Sequence, residues 1–254
     1  MSGIQSLSRG LIILDWVATA ERSVSITEVA QKLQIDKSSA SRLVKTLVQH
    51  DYLQPERGSR RFVLGKRMYQ ISWQLLNRMP VREKAKPYLY QLVRATGECS
   101  HTAVYSEGKA LMIDDVEAEA SLRVVGGIGR RLPLHCTAVG KSLLAFSHLP
   151  LPALLEAKTP RTITNSSDLK AHLAQICDQG YALDDEEHEP GVRCLAAPVY
   201  DVMGNVIASI GISGPTVRVT DDRIEGLAQQ VKHAAAALSA ELGNVALPEA
   251  LAGD

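Results

Sequence analysis

Cysteine is scarce in this chain: only positions 99, 136, 177 and 194 carry it, and no two of them form a CxxC pair. A zinc ribbon or a disulfide framework needs close-set cysteines, so neither is expected to organise the fold, and reduced thiols are expected. No stretch reaches the ~18 apolar residues of a membrane span, and the opening MSGIQSLSRG has no apolar core of the kind a signal peptide carries. A cytoplasmic protein with no membrane partner is the expectation. Internal repeats and low-complexity tracts are missing too, and so is net charge, since 28 Lys and Arg balance 28 Asp and Glu.

That balance hides an asymmetry. Residues 1–79 carry 12 cationic and 6 acidic side chains, a net of +6, and the remainder carries 16 and 22, a net of −6. A basic module beside an acidic one is what nucleic-acid binding by one end requires. With 254 residues and 45% hydrophobic content, the chain can bury the core of a small module and of a domain of roughly 150–170 residues.

What is present begins with SITEVAQKLQIDKSSASRLVKTLVQHDYLQPERGSRRFVL, residues 25–64. Ser25 is a good N-cap, and Ile26, Val29, Ala30 and Leu33 lay an apolar stripe along a first helix. Asp36 caps a second helix, Lys37 to about Gln49, across a three-residue corner of the helix-turn-helix kind. Ala40, Leu43, Val44, Leu47 and Val48 form its buried stripe, and Ser38, Ser41, Arg42, Lys45 and Gln49 recur on the opposite side. Short hydroxyls let a backbone approach DNA and Arg can pair bidentately with guanine. The candidates for DNA contact are Lys37, Ser38, Ser39, Ser41, Arg42 and Lys45. A merely solvated polar face is the plainer alternative for this helix taken alone.

Two short strands, Tyr52 to Gln54 and Arg61 to Leu64, then flank PERGSR, where Gly58 can turn a hairpin. Arg57, Arg60 and Arg61 sit at the tip, as in a wing that tracks phosphates or enters the minor groove. A hairpin edge guarded by charge is the alternative.

Ahead of this module Leu7, Leu11, Leu14 and Val17 or Ala18 suggest a helix, with Trp16 as a packing or dimer residue. After it, Met68, Ile71, Leu75, Leu76 and Met79 suggest a linker helix, with Trp73 and the methionines as packing. Pro87 should kink or restart the helix that follows. The domain boundary is placed near Met79: a winged module over 1–66, a linker over 67–80, a second domain over 81–246 and a loose tail over 247–254. In the second domain CSHTAVYSEG, ALMIDDVEA, SLRVVGGIG, GVRCLAAPVYD and VIASIGIS read as strands. GKSLLAF, LPALLEA, SDLKAHLAQICDQG and a segment from Thr220 read as helices. A turn at Gly204-Asn205 makes the last two strands a hairpin, so an α+β domain with an antiparallel sheet is expected.

Taken together, SLSRGLIILDWVA, the helix-turn-helix core, RRFVLGKRM, LPLHCTAVGKSLLA, GYALDDEEHEPGVRCLAAPV and IASIGISGP resemble the IclR family of bacterial transcriptional regulators along essentially the whole chain. The resemblance implies an N-terminal winged helix-turn-helix domain, a linker helix and a C-terminal GAF/PAS-like effector-binding domain. It also implies homodimers or homotetramers on a double-stranded DNA operator, and a small organic-acid effector. Val124 and Leu132 match the family's apolar lining. Ala138 and Val139 match the helix start whose N–H groups meet a carboxylate. Asp184, Val192, Cys194 and Ser213 match the rest of that site. Gly211 stands where members answering to the smallest keto acids carry serine, which leaves room for something larger.

Plainer readings stand beside these. Cys194 also reads as a small buried residue. The run Asp184 to Glu189 reads as a solvated loop before it reads as a metal cluster. His135 beside Cys136, and His101 near Cys99, suggest a thiol with a base, but His135 and Cys136, adjacent on one presumed strand, would point apart and not meet. No catalytic set, metal site or cofactor follows from the sequence, so an enzyme is not expected. The one enzymatic alternative is a GAF-like thiol redox protein using Cys99, Cys136 or Cys194.

Overall fold

A computed structural model describes residues 4–20, 22–76 and 80–244, which cluster into two compact units dividing after Arg78. The first unit runs α1 (Gln5–Thr19), β1 (Val24–Ser25), α2 (Ile26–Leu33), α3 (Lys37–Gln49), β2 (Leu53–Pro55), β3 (Arg61–Leu64) and α4 (Lys66–Leu76). Ser25 and Glu28 close a reciprocal capping box at the start of α2. Gln34 ends the helix in the left-handed region, and the Asp36 side chain accepts the Ser39 N–H to begin α3. These two local events fix the corner. Val29, Ala30, Ala40 and Val44 then meet Ile13, Val17, Val24 and Leu53 in one core.

Three strands, in the order β1-β3-β2, carry the wing. β1 has no sequence signature, because its two residues are a strand only through pairing with Phe62 and Arg61. Gly58 turns the hairpin at φ +77°. Gly65 lets the chain leave it, since a Cβ there would lie 2.1 Å from the Asp51 carbonyl oxygen.

Helix α1 departs from expectation in part: Val17 is buried and Leu14 packs against the core as expected, but Leu7 and Leu11 are 60% and 55% exposed, and Ile13 supplies the burial in their place. Trp16 packs at the edge of the core with the Lys32 ammonium 6.0 Å from its ring. The side chains of Trp73, Leu75 and Leu76, the boundary residue Met79 and the tail 247–254 lie outside the described residues.

The second unit runs α5 (Pro80–Thr96), β4 (Cys99–Ser106), β5 (Lys109–Val116), β6 (Arg131–Leu132), α6 (Ala138–Phe146), α7 (Ser166–Gln179), β7 (Ala182–Asp185), β8 (Val192–Tyr200), β9 (Val206–Pro215) and α8 (Asp221–Glu241). Its six strands form one sheet, in the order β6-β5-β4-β9-β8-β7, with every pair antiparallel. Alternation along β8 and β9 sends Leu195, Ala197, Ile210 and Ile212 to one face, where they pack with Leu89, Leu92, Leu227 and Val231 of α5 and α8. Ala103, Ala182 and Ala196 belong to the opposite face, under Ala138, Leu143, Leu169 and Leu173 of α6 and α7. Small residues at that face let α6 approach the sheet closely.

Three readings of this unit need correction. LPALLEA, 151–157, forms no helix: Pro150 and Pro152 withdraw backbone donors, and so short an uncapped segment cannot nucleate one. SLRVVGGIG, 121–129, is not a strand, and Gly129 takes a positive φ just before the two-residue β6. Helix α5 passes through Pro87 without restarting, because Ala85 and Leu89, both 0% exposed, fasten it on either side.

Candidate functional site

On the first unit, α3 presents Lys37, Ser38, Arg42 and Lys45 as exposed side chains, with Ser39 and Ser41 half-buried at the edge of the same face. The Asp36 carboxylate takes the Ser38 hydroxyl as well as the Ser39 N–H, and this holds it well below the usual carboxylate range. The Arg42 guanidinium donates to Ser39 Oγ at 3.2 Å, which extends it along the helix surface.

At the wing tip Arg57 and Arg60 are exposed, and neither has an ion-pair partner among the described residues. Arg61 differs. Its Nε donates to the Ser23 carbonyl at 2.8 Å, and its Nη2 donates to Glu28 Oε2 at 2.8 Å and Oε1 at 3.0 Å. With the Ser25 N–H and hydroxyl upon it, and that cation beside them, the Glu28 carboxyl is lowered from its ordinary value to about 2. Arg61 therefore staples the wing to the start of α2 and is withdrawn from the exposed cationic face.

The second unit holds a cavity of about 560 Å³, within the range of small-molecule sites. It lies over the α6 face of the sheet. Val124, Leu132, Ala138, Val139, Asp184, Val192, Cys194 and Ser213, all expected there, line it together. Gly211 does not. A Cβ on it would stand 2.2 Å from the Leu195 carbonyl oxygen and 2.9 Å from the Ala196 Cβ, so the position is a close approach between β9 and β8. Residues that sequence reasoning left out are His101, Met112 and Asp115 from β4 and β5, Arg123 and Arg130 from the irregular 117–130 segment, and His188. The glycines of that segment were the available signal: Gly126 fits against the Asp115 carboxylate, and Gly127 against the Arg130 stem.

Helix α6 starts at this cavity. Thr137 caps it, donating to the Pro133 carbonyl at 2.7 Å and accepting the Gly140 N–H at 3.2 Å. The next donors back, Ala138 and Val139 N–H, are buried and meet no acceptor among the described residues. Two free N–H groups at the positive end of a helix suit an anionic oxygen.

Behind the helix start lies a charge cluster that the sequence did not announce. Lys141 is 0% exposed. Its ammonium donates to the Leu183 carbonyl at 2.6 Å, stands 3.0 Å from His172 Nε2, and pairs with Glu187 Oε1. Glu187 Oε2 has no partner among the described residues, and the Glu187 N–H donates to Asp184 Oδ1 at 2.8 Å. The run Asp184 to Glu189 is thus no fully solvated loop, since Asp184 and Glu187 are both buried. Burial lifts the Asp184 carboxyl to about 7, with Lys141 opposing and Glu187 adding to the rise. The signal available was a lone lysine inside the apolar helix VGKSLLAF, because a buried cation requires a partner elsewhere in the chain.

Nearby titratable groups are held neutral. Burial lowers His101 to about 4 and lowers His188 as well. It raises the Cys136 thiol to about 12 and the Cys99 and Cys194 thiols above their ordinary value. His135 and Cys136 lie on a bend, not a strand, and face separate partners: Glu156 O at 3.0 Å for the imidazole, His188 Nδ1 at 3.8 Å for the thiol. Reactive thiols need the opposite electrostatics.

A winged helix-turn-helix with a cationic face, in one chain with an antiparallel domain that holds a cavity, fits a transcriptional regulator. The IclR helix-turn-helix domain matches residues 6–57 and the C-terminal domain of bacterial IclR transcriptional regulators matches 73–240, so the chain belongs to the IclR family. It is 36% identical over 246 residues to the HTH-type transcriptional regulator XynR of Escherichia coli, covering 94% of this chain and 98% of that one. To the transcriptional repressor IclR of the same organism it is 34% identical over 250 residues, covering 95% and 91%. The crystal structure of the Thermotoga maritima IclR superposes with a TM-score of 0.78 at 31% identity, covering 95% of this chain and 100% of that one.

Proposed function

We propose that this protein is a sequence-specific repressor of a catabolic operon, released or retained by a small organic acid bound in the second unit, and that it acts as a homodimer or homotetramer on a double-stranded operator. The DNA face is Lys37, Ser38, Ser39, Ser41, Arg42 and Lys45 with the wing residues Arg57 and Arg60, while Arg61 holds the wing in place. The cavity at the capped start of α6 carries the effector reading. It offers two free N–H donors, a buried carboxyl near neutrality and an apolar lining, in a volume several times that of a three-carbon acid. Nothing is turned over in this scheme. Control requires that the acid favour one arrangement of the protein over another, and typical coupling of 1–3 kcal/mol changes operator affinity about 5–150-fold.

The test is a gel shift with the protein's own promoter fragment against random duplex at low salt, with and without a panel of carboxylic acids. The expected result is preference for the promoter, altered by at least one acid, and a weaker midpoint for Arg42→Ala by about 5–150-fold if it pairs with guanine. An unchanged midpoint removes Arg42 from the interface, and equal affinity for random duplex under every condition sinks the regulator reading.

A further inference from the structure

Sheet register brings three polar side chains together on the cavity side. Ser213 of β9 pairs with Cys194 of β8 and with Cys99 of β4, and His101 stands two residues along β4 from Cys99, opposite Gly211. His101 Nδ1 lies 3.3 Å from Ser213 Oγ, and Cys194 stands opposite the same serine across the strand pair. His101 is 7% exposed and lines the cavity, and its Nε2 has no partner among the described residues. The bare backbone of Gly211 beside it leaves the imidazole as the hydrogen-bonding group of that rung.

With Nδ1–H donated to the Ser213 hydroxyl oxygen, Nε2 is left as an acceptor facing the cavity. We propose that His101, held by Ser213, is the specificity-determining residue of the ligand site, and that it selects an acid bearing a hydroxyl away from its carboxylate. The hydroxyl donates to Nε2 while the carboxylate takes the Ala138 and Val139 N–H groups. A carboxylate cannot take the histidine's place as anchor, because two acceptors would face each other and the buried imidazole stays uncharged near neutral pH. The pair does not make a nucleophile and base: the imidazole is a weak base in this setting, and no carboxylate among the described residues hydrogen-bonds it. This inference rests on the cavity being the effector site.

The experiment is calorimetric titration of the full-length protein with matched triads of acids, each as hydroxy, deoxy and methoxy compounds, for example 4-hydroxyphenylacetate, phenylacetate and 4-methoxyphenylacetate, together with ω-hydroxyhexanoate and its two counterparts. A methoxy group accepts but does not donate. In the parent, the hydroxy member of at least one triad should bind about tenfold tighter than both counterparts, the equivalent of one net hydrogen bond. That ratio should collapse toward unity in His101→Leu and survive in His101→Gln, which keeps an acceptor. Ser213→Ala should reduce it as well. Equal affinities across the triads, or a ratio that survives His101→Leu, overturns the role of His101 and leaves the effector site standing. No saturable binding by any acid fails the effector reading, and the inference falls with it.

Discussion

Replacing Lys141 by methionine removes the only cation from a cluster in which two carboxyl groups, Asp184 and Glu187, are buried. Methionine fills most of the stem, so packing is nearly conserved and the effect is electrostatic. Stranding one partner of a buried pair costs about 3–5 kcal/mol. With a urea slope of about 2–3 kcal/mol/M for a domain of this size, the midpoint should fall by about 1–2 M. The double variant Lys141→Met with Glu187→Gln should recover at least half of that fall, since neither member of the pair is then left as an unmatched buried charge. Both tryptophans, Trp16 and Trp73, precede residue 79, and five of the seven tyrosines follow it. Tryptophan emission therefore follows the first unit, and tyrosine signals mostly follow the second. The Lys141 variant should shift the tyrosine transition and leave the tryptophan transition in place. A single variant within about 0.5 M of the parent, or a double variant no better than the single, would refute the account of the cluster as a matched set of charges.

The Asp184 carboxyl titrates near 3.8 when unfolded and near 7 when folded, so between those values the folded chain holds a proton that the unfolded chain has released. Stability from this group falls as pH rises through the window and is level above it. Asp184→Asn should therefore gain in melting temperature relative to the parent as pH goes from about 5 to about 7.5, with parallel profiles as the disproof. Arg61→Ala loses the staple between β3 and α2 and leaves Glu28 with a weaker set of donors. The first unit should lose about 1–3 kcal/mol in denaturant melts followed by tryptophan emission, and a loss confined to DNA affinity would show that Arg61 contacts phosphate instead.

Local signals made the first unit legible. Ser25, Glu28 and Asp36 state the ends of two helices within a few residues of themselves, and the apolar stripes lie at helical spacing. β1 was invisible because nothing in Val24 and Ser25 foretells a partner at Phe62. In the second unit, the strands carrying Cys194 and Ser213 and the start of α6 could be read, and eight of nine candidate lining residues meet at one cavity. The partners of His101 and Lys141 were not legible for a shared reason. Each acts through a residue far along the chain, Ser213 for one and Glu187 for the other, and periodicity within a segment carries no information about such pairings. Gly211 was misread as a vacancy in the lining, when it is a point where two backbones nearly touch.

The alternation along β8 and β9 has a mechanical consequence. Cys194 and Ser213 touch the ligand space, and their immediate neighbours Leu195 and Ile212 press on the opposite side against the layer that seats α5. The sheet is a single-ply diaphragm between a cavity and a layer that is packed solid. A strand nudged from the cavity side has no slack behind it, so its displacement bears on α5 and α8.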